Sequence, residues 1–176
     1  MFTLDDKRTL QTSGSLTITD HPTDPFEIDC QKCGRNGRYR KATLIEKYGS
    51  DTVLPDLLAA LASDPRVVAI GETGLDFFRS KGDLEWQKQR FKTHIEAATF
   101  ADKPLIIHTR EAAQATLDVM RAASAQTVGG VMHCFADEWE VAKAALDLGF
   151  FISFSGIVTF KSADSLREVA RRVPDD

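Results

Sequence analysis

Four short apolar runs divide the second half of the chain into a repeating pattern. Each begins with apolar residues and ends with polar or small ones; the runs are VVAIGETG, PLIIHTR, GGVMHCF and FFISFSG. Segments with helical spacing lie between and after them, over roughly residues 83–101, 111–124 and 137–148 and from Ser162 onward. Apolar strands that alternate with amphipathic helices are typical of βα units around a buried parallel sheet. The pattern therefore predicts an α/β fold with four strands, each followed by a helix.

Residue spacing in the first of these helices predicts an inward face and an outward face. Spacings of three to five residues predict a common inward face for Trp86, Phe91, Ile95 and Ala98. The outward face is predicted to carry Glu85, Gln87 and Lys88. His94 is expected on the surface of the same helix.

The first part of the chain has a different composition. Residues 1–40 are polar and show little periodicity, and His21 lies there in a Pro-rich loop where we expect it to be solvated. KATLIEKYG and LPDLLAALASDPR then predict two short helices, the first ended by Gly49 and the second begun near Pro55. We therefore expect an N-terminal segment over residues 1–62 and a βα segment over residues 63–176.

Composition and charge exclude several classes of protein. The net charge is −4, which excludes a polybasic protein that holds nucleic acid through bulk charge. No apolar run reaches the roughly 18–20 residues of a membrane span, and Asp5 and Asp6 stand where a signal peptide would be apolar. Three cysteines do not make a closed disulfide framework. We expect a cytoplasmic protein without a membrane span.

Polar side chains follow each predicted strand at its carboxyl end. In chain order they are Glu72 with Asp76, His108 with Arg110, His133 with Cys134, and Ser153 with Ser155. Loops that leave parallel strands open on one side of the sheet, so these groups are expected on one rim. A carboxylate and two neutral imidazoles are ligands that suit Zn²⁺, Mn²⁺ or a similar cation. Glu72, His108 and His133 are therefore the candidate metal ligands.

Each of these residues also has a structural interpretation. A single histidine after a strand is more often a hydrogen-bonded structural residue than a ligand. Arg110 either contacts a phosphate through its planar guanidinium or pairs with Glu111 or Asp118 on the surface. Strand alternation turns Cys134 away from His133, which favours core packing for the thiol.

A second candidate site lies in the N-terminal segment. Cys30 and Cys33 form a C-x₂-C pair, and such a pair can supply two of the four ligands of a structural zinc ion. The remaining cysteine is about 100 positions further on, so two free thiols or a redox pair remain open as alternatives. The surrounding segment, up to Leu61, resembles small bacterial proteins that begin with a zinc-knuckle-like pair.

Residues from about 64 to 175 resemble the middle of a TatD-family metal-dependent deoxyribonuclease, through the motifs GETGLD, HTR and HCF in that order. The family folds as a (β/α)₈ TIM barrel, so the resemblance implies a partial barrel of about four βα units behind an unrelated N-terminal segment. By this resemblance Glu72 is shared between two metal ions, and His108 and His133 complete the second position. The implied cofactors are divalent ions (Mg²⁺, Mn²⁺ or Zn²⁺). The implied reaction is hydrolysis of phosphodiester bonds in DNA by metal-activated water, with Arg110 contacting the substrate.

Two motifs of the family have no counterpart in this sequence. The family begins with a strand that ends in an H-x-H pair, and it has a later aspartate motif beyond the point at which this chain reaches VPDD. The resemblance therefore implies one complete metal position and one that keeps only Glu72. Half of an eight-stranded barrel also has two open sheet edges and an uncovered inner face. Residues of the N-terminal segment cover that face, or copies of the chain associate as a homo-oligomer through the edges, or the protein aggregates.

Three functional interpretations follow. The first is a TatD-type hydrolase that acts on DNA and is impaired by the missing ligands. The second is an inactive barrel fragment with an N-terminal cysteine-knuckle binding module at Cys30 and Cys33. The third is an esterase or phosphatase that uses the same site on a small substrate.

Overall fold

A computed structural model of the chain describes residues 17–29 and 36–175. The N-terminal segment begins with an antiparallel pair of strands, β1 (Phe26–Asp29) and β2 (Asn36–Tyr39). Two helices follow, α1 (Lys41–Tyr48) and α2 (Leu54–Ala62), as the sequence predicts. The strand pair was not predicted, because two four-residue strands are too short to show a period of two.

The second half of the chain alternates strands and helices. The elements are β3 (Ile70–Asp76), α3 (Glu85–Ala101), β4 (Leu105–Arg110), α4 (Ala113–Ala122), β5 (Gly130–Met132), α5 (Trp139–Asp147), β6 (Phe150–Ile152) and α6 (Asp164–Arg172). Two short 3₁₀ helices, Ala125–Thr127 and Gly156–Thr159, complete the connections. Strands β3 to β6 form one parallel sheet in chain order. The prediction of four βα units is confirmed.

All the helices of this half pack on one face of the sheet. The outward residues of the strands are fully buried against them: Leu105, Ile107, Met132 and Phe150. Helix α3 contributes Phe91, Ile95 and Ala98 to the same core, as predicted from their spacing. Trp86, predicted on the same face, is half-buried and is not among the residues that form this core. Helix α2 packs beside α3 and adds Leu58, Ala59 and Ala62. The outer face of the sheet is thus the main hydrophobic core of the described chain.

The opposite face of the sheet carries a second apolar row. Ile106 pairs in register with Gly71 and Val131, and Val131 pairs with Phe151. These residues alternate with the buried outward ones, so they point to the side of the sheet without helices. Ile106 and Val131 are half-buried, and Phe151 is 68% exposed. This row, Ile106, Val131 and Phe151, is called the inner row below.

The described part of the N-terminal segment has a small core of its own. Ile18, Leu44 and Leu57 are buried together, and the residues packed against them all lie between Tyr39 and Leu61. His21, which we expected to be solvated, is buried, and its ring nitrogen Nδ1 accepts a hydrogen bond from the Thr23 amide at 3.3 Å. The turn His21–Thr23 folds the ring back onto its own backbone. Helix α2 ends at Ala62 and contributes to both cores, so the division into two segments at residue 62 stays a prediction.

Within the described ranges, none of the helices combines the length and the apolar composition needed to cross a lipid bilayer. The cysteines Cys30 and Cys33 lie outside the described residues, so the proposed knuckle remains a prediction.

Candidate metal centre

Neighbouring strands bring together the three candidate ligands: Glu72 lies within β3, His108 lies within β4, and His133 directly follows β5. Glu72 Oε1 lies 2.7 Å from His133 Nδ1 and 3.5 Å from His108 Nδ1. The other ring nitrogen of His108, Nε2, lies 3.1 Å from Asp76 Oδ2. One carboxylate oxygen therefore contacts both imidazoles, and a second carboxylate contacts one of them from the other side.

Local irregularities of β3 allow this arrangement. The pairing of β3 with β4 shifts between Gly71 and Thr73, so Glu72 stands at a bulge rather than at a regular ladder position. Gly74 has φ +135°, and a Cβ there would lie 2.0 Å from the carbonyl oxygen of His108. Only glycine therefore permits this close approach of β3 to β4 beside the site.

His108 and each of the two carboxylates stabilise each other's charged forms. The hydrogen bond with His108 is the main cause that lowers the pKa of Glu72 to about 2; burial opposes it and His133 adds to it. The same contact with Glu72 raises the pKa of His108, against the effect of burial and with help from Asp76. Burial disfavours the Asp76 carboxylate, but hydrogen bonds from the Arg79 amide and His108 leave its pKa below the usual value. Glu72 and Asp76 are thus both ionised at neutral pH.

Gln87 on α3 fixes the position of Asp76. Its Oε1 accepts a hydrogen bond from the Asp76 amide at 2.8 Å, and its Nε2 donates to the Asp76 carbonyl at 3.0 Å. The prediction that Gln87 faces outward was wrong, because the side chain is 1% exposed. It lies in the first turn of α3, where the helix reaches the end of β3. The side-chain amide of Gln87 thus pairs with the backbone N–H and C=O groups at the end of β3 that β4 leaves without a partner. Helical spacing does not predict such a tertiary contact.

Cys134 lies beside the site rather than in the core. Its Sγ is 3.4 Å from His133 Nε2. The prediction of core packing was wrong because β5 ends at Met132, and Cys134 adopts φ +51°, so strand alternation no longer applies.

Arg110 stands exposed at the rim of the sheet. Its guanidinium carbon lies 3.8 Å from the centre of the Phe78 ring, and its charge helps to lower the pKa of Asp76. Asp118, one of the two predicted ion-pair partners, instead contacts Arg121 and Gln114. The stacking on Phe78 holds the planar group beside the carboxylates.

His94, the histidine of α3, faces the core. It is 4% exposed, its Nδ1 donates to the Arg90 carbonyl at 2.7 Å, and its Nε2 is buried without a hydrogen-bond partner in the described structure. Burial lowers the pKa of His94 to about 4, so the ring is neutral at neutral pH. His94 is not part of the cluster around Glu72.

A cleft of about 680 Å³ lies elsewhere, between α1, α2 and the start of β3. Its walls include Tyr39, Tyr48 and Ile70, but none of the candidate ligands. The candidate ligands instead lie at an open edge of the sheet.

Glu72, His108 and His133 are residue types that bind divalent cations, but in this structure Glu72 contacts both imidazoles directly. Across residues 17–29 and 36–175, no three His, Cys, Asp or Glu side chains are arranged as a metal cage. Ligands that are each about 2.0–2.2 Å from one ion lie farther apart than a hydrogen-bonded pair, and the contact between Glu72 and His133 is such a pair. A cation therefore has to replace a proton between these two groups.

The fold and these side chains define a partial (β/α)₈ barrel with a carboxylate–imidazole cluster at the carboxyl ends of its strands. The model of the family described as TatD related DNase matches residues 14–176, and the chain belongs to that family. The match includes residues of the N-terminal segment, for which the sequence showed no such resemblance.

Individual relatives match about two thirds of the chain. The metal-dependent hydrolase YcfH of Escherichia coli K12 is 47% identical over 119 residues, which cover 68% of this chain and 45% of YcfH. The 3'-5' ssDNA/RNA exonuclease TatD of Erwinia tasmaniensis is 32% identical over 120 residues, 68% of this chain and 46% of that protein. The crystal structure of YjjV, a TatD homologue from E. coli K12, superposes with a TM-score of 0.61 at 27% identity, over 68% of this chain and 47% of that one. The chain thus spans about half the length of the relatives it matches.

Proposed function

We propose that this chain is a divalent-metal-dependent hydrolase that cleaves phosphodiester bonds in nucleic acid. Glu72, His108 and His133 hold the cation, and Arg110 contacts a phosphate of the substrate. One observation carries the proposal: Oε1 of Glu72 contacts Nδ1 of both histidines. Three mixed oxygen and nitrogen donors at one rim suit Zn²⁺ or Mn²⁺, and Mg²⁺ is kept as a third candidate.

The hydrogen bonds of His108 favour one ring nitrogen as the ligand. A metal-binding histidine commonly donates its other N–H to a carboxylate, which fixes the tautomer and the orientation of the ring. Nε2 of His108 contacts Asp76, whereas Nδ1 turns toward Glu72. Asp76 therefore orients the His108 ring so that Nδ1 is the atom available to coordinate the cation. Gln87 fixes the position of Asp76 in turn. A bound cation supplies a coordinated water of lowered pKa and neutralises charge on a phosphate.

The substrate class is supported by the relatives and by the rim. The relative from Erwinia is named as an exonuclease of single-stranded DNA and RNA. Arg110 is exposed, stands near Asp76 and stacks on Phe78. An exposed guanidinium beside a metal site suits a contact with a phosphate of the substrate. Because the net charge is −4, the contact with nucleic acid is local to this rim.

Digestion of end-labelled single-stranded DNA tests the proposal. We expect cleavage in Mn²⁺ or Mg²⁺, its loss in His108→Ala, and weaker cleavage in Arg110→Ala. Arg121→Ala is the matched control, because Arg121 is an exposed arginine of α4 whose contact is with Asp118. Cleavage that survives in His108→Ala would contradict the proposed site.

The other two interpretations predict different results. An inactive barrel fragment cleaves nothing although it is folded, and attention then moves to Cys30 and Cys33. An esterase or phosphatase of small substrates hydrolyses p-nitrophenyl phosphate or acetate in a His108-dependent manner and leaves DNA intact.

A further inference from the structure

We propose that Phe78 is a stacking platform for one base of a single-stranded nucleic acid, beside the phosphate that Arg110 contacts. The inference rests on the proposed function, because it adds a base contact to the same rim. It gives a role to an exposed aromatic ring that the hydrolytic chemistry does not use. A base that stacks on Phe78 has to leave its neighbours in a duplex, so this contact favours single strands.

The exposure of Phe78 contrasts with that of the residue before it. Phe78 is 52% exposed, whereas Phe77 packs against the main hydrophobic core. Both lie in the connection that leads from the carboxyl end of β3 to α3. Loops that leave the carboxyl ends of the strands carry the substrate contacts of a (β/α)₈ barrel. The ring of Phe78 is therefore available to a substrate rather than to the core.

Backbone hydrogen bonds fix the loop on both sides of Phe78. The Phe77 amide donates to the Arg110 carbonyl at 3.0 Å, which attaches the loop to β4. The Arg79 amide donates to Oδ1 of Asp76 at 2.8 Å, which attaches the loop to a carboxylate beside the candidate ligands. The ring is thus presented by a backbone that is already ordered, so a stacked base pays little for ordering the loop.

Arg110 covers one face of the Phe78 ring. Its guanidinium carbon lies 3.8 Å from the ring centre, within the range of a cation–π contact. A planar guanidinium held on a ring directs N–H groups past the edge of that ring, where a phosphate can accept them. The opposite face is left for the flat surface of a base. The stacked base and the bound phosphate thus belong to the same nucleotide or to adjacent ones.

The charges of the loop suit a nucleic-acid strand. Arg79 and Lys81 follow Phe78, and both side chains are exposed. The Asp83 carboxylate of the same loop accepts a hydrogen bond from the Glu85 amide at 2.9 Å, at the start of α3. An aromatic ring followed closely by cations is typical of surfaces that bind single strands through stacking and phosphate contacts.

Binding of short single-stranded oligonucleotides tests the proposal, with phosphorothioate linkages to block cleavage and with and without Mn²⁺. Fluorescence anisotropy should show that Phe78→Ala weakens binding about 5- to 150-fold, and that Phe78→Tyr, which keeps a flat ring, restores most of the affinity. Phe100→Ala is the matched control, because Phe100 is 74% exposed but lies on α3. No binding by the wild type, or equal losses in the two alanine variants, would overturn the proposal.

An abasic site moved along the oligonucleotide separates stacking from any support that Phe78 gives to Arg110. In the wild type, one position should depend on its base, with a loss of about 5- to 150-fold when that base is removed. In Phe78→Ala the same abasic site should cause no further loss, because the base has no ring to contact. A wild type that tolerates the abasic site at every position, or a loss that persists in Phe78→Ala, contradicts the platform.

Failure of the platform and failure of the proposed hydrolase are distinguishable. A wild type that cleaves nothing but keeps the base-dependent binding contradicts the hydrolase and leaves the platform standing. Cleavage that requires His108 while Phe78→Ala loses kcat/KM equally on single strands and on blunt duplexes contradicts the platform alone. The platform predicts a larger loss on single strands than on duplexes.

Discussion

The two faces of the β3–β6 sheet differ in burial and in chemistry. On the outer face, Leu105, Ile107, Met132 and Phe150 are buried under helices. On the inner face, the residues next to them in sequence are Ile106, Val131 and Phe151, half-buried or exposed. The residues that follow this row, Glu72, His108 and His133, contact one another rather than the core. Because side chains alternate along a strand, one short sequence serves both faces.

The difference separates stability from chemistry. The outer face gains free energy by removing apolar area from water, and each buried side chain there contributes about 1.5–3 kcal/mol. The inner face keeps ionised groups near solvent, where their charges stabilise one another at a smaller desolvation cost. Substitutions on the two faces are therefore expected to have unlike effects.

The largest contrast is expected between adjacent residues of β4. Ile107→Ala removes a fully buried side chain and should lower the free energy of unfolding by about 2–5 kcal/mol. Ile106→Ala, on the half-buried inner face, should cost about 1 kcal/mol. Urea denaturation of each variant beside the wild type measures both losses. Equal losses would break the distinction between the faces.

His94 should make the outer layer sensitive to acid. Its pKa is about 4 in the folded protein and 6.5 when unperturbed, so the unfolded chain binds the proton first as the pH falls. Stability from this group is therefore complete above pH 6.5 and is lost between pH 6.5 and 4, by about 3 kcal/mol. His94→Leu should flatten this part of the profile, as measured by denaturation at several pH values. Identical slopes for the two proteins would contradict the buried neutral ring.

Gln87 links the two faces, and its loss should have an intermediate effect. Gln87→Leu removes both hydrogen bonds to the Asp76 backbone and should cost about 1–3 kcal/mol. The matched control is Gln89→Leu, an exposed position on the same helix, with an expected change within about 0.5 kcal/mol. Thermal denaturation compares the two, and a similar loss in both would show that the Asp76 contact is not used.

The smallest expected change is a shift of one titration on the inner face. Glu72→Gln should lower the pKa of His108 in the metal-free protein more than Asp76→Asn does, because the contact with Glu72 is the larger cause of its raised pKa. Proton–nitrogen NMR of the ring follows both titrations. The reverse order would mean that Asp76, not Glu72, is the main partner of His108.

The outer face and the order of its elements could be predicted from the sequence. The apolar runs marked the four strands, and the spacing of Phe91 and Ile95 marked the buried face of α3. Glu72 and His108, however, lie within β3 and β4 rather than after them. Such patterns are local, and a parallel βα order follows from them.

The details of the rim could not be predicted in this way. Gln87 is buried by a contact between a helix and a strand end, and Cys134 turns toward His133 because β5 stops one residue before that histidine. Neither depends on a period in the sequence. Where a strand ends is decided by its neighbours in the sheet, and periodicity does not place such ends to a single residue.

Metal binding to the purified chain tests the central claim most directly. Isothermal titration calorimetry with Mn²⁺ and Zn²⁺ compares the wild type with His108→Ala, Glu72→Gln and Cys30→Ser. The proposed centre predicts binding in the wild type and in Cys30→Ser, and its loss in the other two variants. Unchanged binding in His108→Ala together with loss in Cys30→Ser would contradict it and assign the metal to the N-terminal cysteine pair.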